Sequence, residues 1–71
     1  MITFNDIMDS GCQFESDVCI IAISYDGEPD IVFEGDGTDI PNGMPWGEGE
    51  ISHIYYDSTY EHITIEIEQE E

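Results

Sequence analysis

The sequence contains no lysine and no arginine, although 18 of its 71 residues are Asp or Glu, and its formal net charge is −18. A folded chain of this mass exposes roughly 4,000 to 4,500 Å² of surface, which leaves about 250 Å² for each carboxylate. With no basic side chain to pair against these acids, the surface repels itself and destabilises the compact state. Even weak surface ion pairs would relieve this repulsion. The absence of lysine and arginine therefore indicates that the negative surface serves a function beyond solubility.

The charge also limits the partners of the chain. A protein without Lys or Arg cannot neutralise nucleic-acid phosphates, and anionic membrane surfaces repel it as well. Its expected partner is a protein with a basic surface. The sequence carries no recognisable signal peptide and no apolar run close to the roughly 18 residues of a membrane span. We expect a cytoplasmic protein in which Cys12 and Cys19 are reduced thiols.

Apolar residues are numerous enough for one small folded domain over residues 1–71, in which residues 68–71 form a frayed tail. Hydrophobic residues make up 39% of the chain. A short helix is predicted over residues 3–10, where Thr3 acts as the N-cap and apolar side chains recur at helical spacing from Phe4 to Met8. Gly11 is the expected stop signal.

Four strands are predicted after the helix, over residues 18–25, 30–34, 50–57 and 61–69. Turns at 26–29 and 58–59 join them into two hairpins. In the second strand, alternation places Ile31 and Phe33 on one face. The Gly- and Pro-rich loop over residues 35–49 is expected to fold its apolar residues back over the core; these are Ile40, Met44 and Trp46.

The predicted fold class is α+β: a short N-terminal helix followed by a four-stranded antiparallel sheet of two hairpins joined by the long loop. The helix and the loop cover the apolar face of the sheet, and the other face carries carboxylates. The sequence does not give the order of the strands. An open sheet edge offers a route to a homodimer, although acidic edge residues disfavour it; the alternative is a monomer.

The candidate partner-binding surface is built mainly from acids. Residues two apart on a strand lie about 6.6 Å from each other on one face, close to the spacing of successive phosphates along a nucleic-acid strand, and Glu66 and Glu68 have this spacing. An acidic sheet with acidic loops thus resembles a phosphate array. The candidate residues are Glu28, Asp30, Glu34, Asp36, Asp39, Glu48, Glu50, Asp57, Tyr60, Glu61, Glu66 and Glu68.

No motif in the sequence points to catalysis, a cofactor or a dedicated metal site. The segment that starts at Glu34 fails as a calcium loop, because Asp39 stands at the glycine position and Pro45 at the final glutamate position. His53 and His62 do not have the spacing of zinc ligands. The chain also lacks a nucleophile elbow and a phosphate loop. We expect a protein that is not an enzyme, has no cofactor, and binds divalent cations only weakly.

In size, charge and fold style the chain resembles small acidic proteins of phages and mobile elements that mimic nucleic acids, such as anti-CRISPR and anti-restriction proteins. Its opening segment, Thr3 to Gly11, and its last strand, Ile63 to Glu68, also resemble short phage proteins. The resemblance implies an inhibitor that docks in the basic groove of a nuclease, restriction enzyme or other DNA-binding protein. For a phage-encoded chain, the compartment would be the host cytoplasm.

Two other functions remain open from the sequence. One is a protein-interaction module that binds through exposed aromatic residues, with the charge serving mainly solubility; the candidates are Trp46, Tyr55, Tyr56 and Tyr60. The other is a weak divalent-cation-binding protein.

Overall fold

The computed structural model describes residues 2–41 and 43–69. Its single α-helix in this part of the chain, α1, spans Phe4–Asp9, and two short 3-10 helices, Gly37–Asp39 and Pro45–Glu48, lie in the later loop. Thr3 closes a capping box with Asp6: the Thr3 hydroxyl accepts from the Asp6 backbone N–H, and the Asp6 carboxylate accepts from the Thr3 N–H. Two of the otherwise unpaired N–H groups of the first turn are thereby satisfied. Gly11 follows the helix with a φ of 87°, the left-handed conformation in which glycine avoids a steric penalty.

Four strands follow: β1 (Asp17–Ile23), β2 (Pro29–Asp36), β3 (Glu50–Asp57) and β4 (His62–Glu68). β1 ends two residues before the predicted end, because Ser24 already begins the turn: its N–H donates to the Glu28 carbonyl oxygen at 2.9 Å. Glu68 belongs to β4 and the backbone N–H of Gln69 donates to the Ile23 carbonyl oxygen at 2.8 Å. The ordered chain thus continues into the predicted frayed tail, of which residues 70 and 71 lie outside the described residues.

The sheet has the strand order β2-β1-β4-β3. Each hairpin is antiparallel, as predicted, but β1 and β4 pair in parallel at the centre. The prediction of a wholly antiparallel sheet is therefore wrong. The segment over residues 37–49 leaves β2 at one edge and enters β3 at the opposite edge, so that β4 returns beside β1 in the same direction. This order places the two most buried strands, β1 and β4, side by side in the middle of the sheet.

The core lies between one face of the sheet and α1. Val18 and Ile20 of β1 and Ile65 and Ile67 of β4 are fully buried there, beneath Phe4 of the helix. Burying each aliphatic side chain of this size contributes about 1.5 to 3 kcal/mol. The fold therefore depends on a small group of isoleucines and one phenylalanine.

The loop between the hairpins supplies the remaining cover for the core. Ile40 is buried, and the Trp46 ring packs on the Phe4 ring with 5.4 Å between centroids. Met44 is only half-buried and does not join the core cluster. The predicted folding-back of the loop is confirmed for Ile40 and Trp46, whereas Met44 lies beside Trp46 in a depression at the edge of the core.

Both edge strands contain a bulge. In β2 the register passes from Phe33 to Ile31 and leaves Val32 without a partner residue; in β3 it passes from Ile51 to His53 and skips Ser52. The extra residue lets both Val32 and Phe33 pack against the core and turns Ile31 to the other face. The prediction that Ile31 and Phe33 share a face is wrong for this reason. Bulges of this kind also make an edge a poor template for a further strand.

Candidate functional site

The sheet face opposite α1, called here the open face, gathers acids from all four strands. Directly opposed residues of neighbouring strands share a face, so the register fixes which side chains lie there. From the predicted set it brings together Glu34, Asp36, Glu50, Asp57, Glu66 and Glu68. The predicted pair Glu66 and Glu68 lies on one face of β4, as the alternation of that strand requires.

The other predicted residues lie elsewhere. The β2 bulge turns Asp30 to the helix-bearing side, where it lines a shallow depression with Val32 and Trp46. Tyr60 and Glu61 lie in the β3–β4 turn. Three more acids lie in the turns and crossover: Glu28, Asp39 and Glu48. Glu48 accepts a hydrogen bond from the Asn5 side chain at 2.8 Å, so it lies against α1. The predicted residues do not form one surface.

Two like-charge pairs stand at opposite ends of the open face. Asp17 lies directly opposite Asp36 in the β1–β2 hairpin, and Glu50 lies directly opposite Glu68 in the β3–β4 hairpin. Like charges at such positions destabilise a sheet, and the sequence has no lysine or arginine to compensate. Asp17 is missing from the predicted set, although its position two residues before Cys19 places it on the same face.

Asp36 is held in place by its own turn. Its carboxylate accepts from the backbone N–H of Thr38 at 2.9 Å and from the Thr38 hydroxyl at 2.8 Å. These bonds, the backbone bond first, lower the pKa of Asp36. The acid therefore remains ionised beside Asp17 to a lower pH than an ordinary aspartate.

The centre of the open face is a groove of about 340 Å³, and it is not acidic throughout. Cys19 and Thr64 form its floor and are almost completely buried, with relative exposures of 4% and 2%. The complete lining is Cys19, Ile21, Ile31, Glu34, Tyr55, Asp57, Tyr60, His62 and Thr64. The face carries carboxylates as expected, but apolar and aromatic side chains also line its centre. The apolar run of β1 is continuous, so it presents hydrophobic side chains to both faces.

Two carboxylates flank the groove from opposite edge strands. Glu34 belongs to β2, and Asp57 to β3. Desolvation raises the pKa of the Cys19 thiol at the floor, and the negative charges of Glu34 and then Asp57 raise it further. Both acids therefore act electrostatically on the same point at the base of the groove.

Aromatic rings form the wall of the groove on the β3–β4 side. The Tyr60 ring stacks on the His62 ring with 5.6 Å between centroids and 14° between planes. Asp57 fixes the turn that carries Tyr60, because its carboxylate accepts from the Thr59 N–H at 2.9 Å and from the Tyr60 N–H at 3.4 Å. Partial desolvation, followed by hydrogen bonding to Glu66, raises the pKa of the Tyr55 phenol.

The four candidate aromatic residues do not form one patch. Tyr55 and Tyr60 line the groove, whereas Tyr56 is exposed on the opposite side of β3, in register with Ile63. Trp46 packs in the core cover against Phe4. An aromatic interface on the open face therefore involves Tyr55 and Tyr60, because Tyr56 and Trp46 lie on the helix-bearing side.

Each histidine faces a carboxylate instead of the other histidine. His53 Nδ1 lies 3.7 Å from Glu66 Oε1, and His62 stands opposite Asp57 in the register. Within residues 2–41 and 43–69, no three His, Cys, Asp or Glu side chains converge to hold a metal ion. Cys12 and Cys19 are free thiols, the first exposed and the second buried.

Comparison with known proteins does not assign the chain to a family. No family model matches the sequence, and neither the curated proteins nor the solved structures contain a significant match. In the described part of the chain, no helix is long and apolar enough to cross a membrane.

Proposed function

We propose that the protein is a nucleic-acid mimic that inhibits a DNA-binding enzyme, such as a CRISPR nuclease or a restriction enzyme, by occupying its basic groove. On this proposal it acts by binding, as a monomer, and catalyses no reaction. The observation that carries the proposal is the pair of uncompensated like-charge contacts, Asp17 with Asp36 and Glu50 with Glu68, at the two ends of one face. Such contacts lower the stability of the free protein, and a positively charged partner surface would remove that cost on binding.

The arrangement of the acids on the open face fits a groove that binds phosphates. Glu66 and Glu68 are two residues apart on β4, which corresponds to about 6.6 Å. The end pairs lie at opposite ends of seven-residue central strands, which is about 20 Å along the strand direction, so they offer charge over a distance of several nucleotides. Lysine and arginine side chains that normally contact phosphates would meet carboxylates at comparable spacing.

The test uses a panel of purified restriction enzymes and CRISPR nucleases, assayed for DNA cleavage with increasing amounts of the protein. We expect inhibition of at least one enzyme, competitive with DNA, and a dissociation constant that rises steeply with salt because the association is electrostatic. Inhibition that is not relieved by excess DNA, or affinity that is the same at low and high salt, would contradict mimicry.

A matched pair of variants locates the contact surface. E66Q/E68Q removes two charges from the open face, and D9N/E15Q removes two charges from exposed positions outside the sheet. If each interfacial acid contributes about 0.7 kcal/mol, the first variant should weaken inhibition roughly tenfold, while the second should change it less than about threefold. Equal losses for the two variants would mean that net charge, and not the open face, determines binding.

A second candidate function is favoured by one observation, the exposure of Tyr55 and Tyr60 beside the groove. In that case the protein is an interaction module whose affinity comes from the aromatic rings. The substitution Y60A would then abolish binding to the partner, and E66Q/E68Q would leave it intact.

A further inference from the structure

The groove at the centre of the open face differs from the acidic surface around it. Four strands or their turns contribute to it, its floor is buried, and its walls include aliphatic and aromatic side chains. A volume of about 340 Å³ lies at the lower end of the range of pockets that enclose small ligands or single side chains. A phosphate-like surface has no need of such a feature.

We propose that this groove receives an arginine side chain of the partner protein, between the Tyr60 and Tyr55 rings and against Glu34 and Asp57. This inference rests on the proposed function in one respect, namely that the partner presents a basic surface. It adds the identity of the residue recognised and the place where it binds.

Charge complementarity decides that the occupant is a cation. Glu34 and Asp57 approach the floor from opposite edges of the sheet, and no lysine or arginine of the chain neutralises either of them. A second copy of this chain has no lysine or arginine to offer. A neutral side chain would cover the two carboxylates without pairing them, which is costly once water is removed.

The shape and chemistry of the lining favour arginine over lysine. A guanidinium is planar, stacks on aromatic faces and is weakly hydrated, so it tolerates an apolar surrounding better than an ammonium group does. The exposed Tyr60 ring, stacked on His62, provides such a face. The aliphatic stem of an arginine would lie along Ile21 and Ile31, while both carboxylates attract its guanidinium and the nearer one accepts from its N–H donors.

The experiment uses two capped pentapeptides as probes, acetyl-Gly-Gly-Arg-Gly-Gly-amide and its lysine counterpart, titrated into ¹⁵N-labelled protein at low salt. We expect the arginine peptide to shift the amide resonances of residues that line the groove, with Cys19, Tyr55 and Thr64 among them. Its dissociation constant should be at least threefold lower than that of the lysine peptide, in line with the usual strength of stacking on an exposed ring.

Variants separate the groove from general attraction to an acidic protein. E34Q and E15Q each remove one negative charge, but only Glu34 lines the groove. We expect E34Q to weaken binding of the arginine peptide at least threefold more than E15Q does. Y60A should reduce the preference for arginine over lysine to less than twofold, while the dispersion of the amide spectrum reports that the fold is kept.

The outcomes distinguish this inference from the proposed function. Equal affinity for the two peptides, or shifts spread evenly over all acidic segments, would overturn the arginine groove even if nucleases are inhibited. Arginine-selective shifts confined to the groove would support the arginine groove even if no nuclease in the panel is inhibited. In that case only the proposal that the partner is a nuclease would be wrong. If the Y60A and E34Q variants inhibit a sensitive nuclease as strongly as the unmodified protein does, that result would also count against the groove.

Discussion

Replacing Glu68 by lysine should make the protein more stable, because Glu68 lies directly opposite Glu50 in the β3–β4 hairpin. Both side chains are exposed, so the substitution disturbs no core packing. It converts one like-charge contact into an ion pair. Stabilisation by E68K would demonstrate that the native sequence tolerates a repulsion that a single substitution can remove.

The size of the effect follows from the geometry of the pair. Cβ atoms of directly opposed residues are about 5 Å apart, which places the two charges roughly 6 Å from each other. In water, unit charges at this distance interact by about 0.7 kcal/mol, and physiological salt, with a Debye length of about 8 Å, reduces this to roughly half. Reversing the sign changes the pair energy by twice that amount. The expected gain is about 0.7 kcal/mol at physiological salt and approaches about 1.4 kcal/mol in dilute buffer.

Thermal unfolding followed by circular dichroism measures this gain. For a domain of 60–100 residues, 1 kcal/mol corresponds to about 4–8 °C, so E68K should raise Tm by about 3–5 °C at physiological salt and by more in dilute buffer. The matched control is E15K, which makes the same charge change in a loop without a cross-strand partner. Equal gains for E68K and E15K would assign the effect to net charge. A loss of stability in E68K, or a gain that does not shrink with salt, would refute the reasoning.

Three other predictions concern the core, the helix cap and the thiols. I65A should lower the free energy of unfolding by at least about 2 kcal/mol, whereas I54A, at a half-exposed position on the edge strand, should cost less than about 1 kcal/mol; urea titration compares the two. T3A removes the hydroxyl that accepts from the helix and should cost about 1 kcal/mol, with T3S restoring most of the loss. Cys12 should react with Ellman's reagent at least tenfold faster than Cys19 at mildly alkaline pH. Burial, together with the neighbouring carboxylates, raises the pKa of the Cys19 thiol, so its thiolate forms only at higher pH, and its rate should rise further as the pH increases. Comparable rates for both thiols at neutral pH would contradict the buried position of Cys19.

The local elements of the fold follow from the sequence, because their signals are local. The Thr3 cap, the apolar run of β1 and the clean alternation of β4 each depend on neighbours within a few residues. The central pairing is different. Val18 meets Ile63 and Ile20 meets Ile65, and alternation along a strand does not encode whether its neighbour runs parallel or antiparallel. That choice depends on which edge the 37–49 segment reaches.

The candidate site was predictable only where alternation is unbroken. Glu66 and Glu68 lie on the open face as expected. Asp30 and Glu34 are four positions apart, so regular alternation would place them on the same face, but the bulge at Val32 puts them on opposite faces. A bulge of this type has no reliable signal in a short strand of mixed composition. The groove has no signal in the sequence, because its lining comes from strands whose order the sequence does not give.

The groove is complete only when β1 and β4 have paired in parallel, and this central pairing is called here the joint. Each hairpin is closed by a short turn and contains only nearby contacts, whereas the joint links residues more than 40 positions apart and carries the larger loop-closure cost. Cys19, Ile31 and Glu34 come from the first hairpin; Tyr55, Tyr60 and Thr64 come from the second. Neither half alone forms the complete groove. Partner binding would therefore select fully assembled molecules.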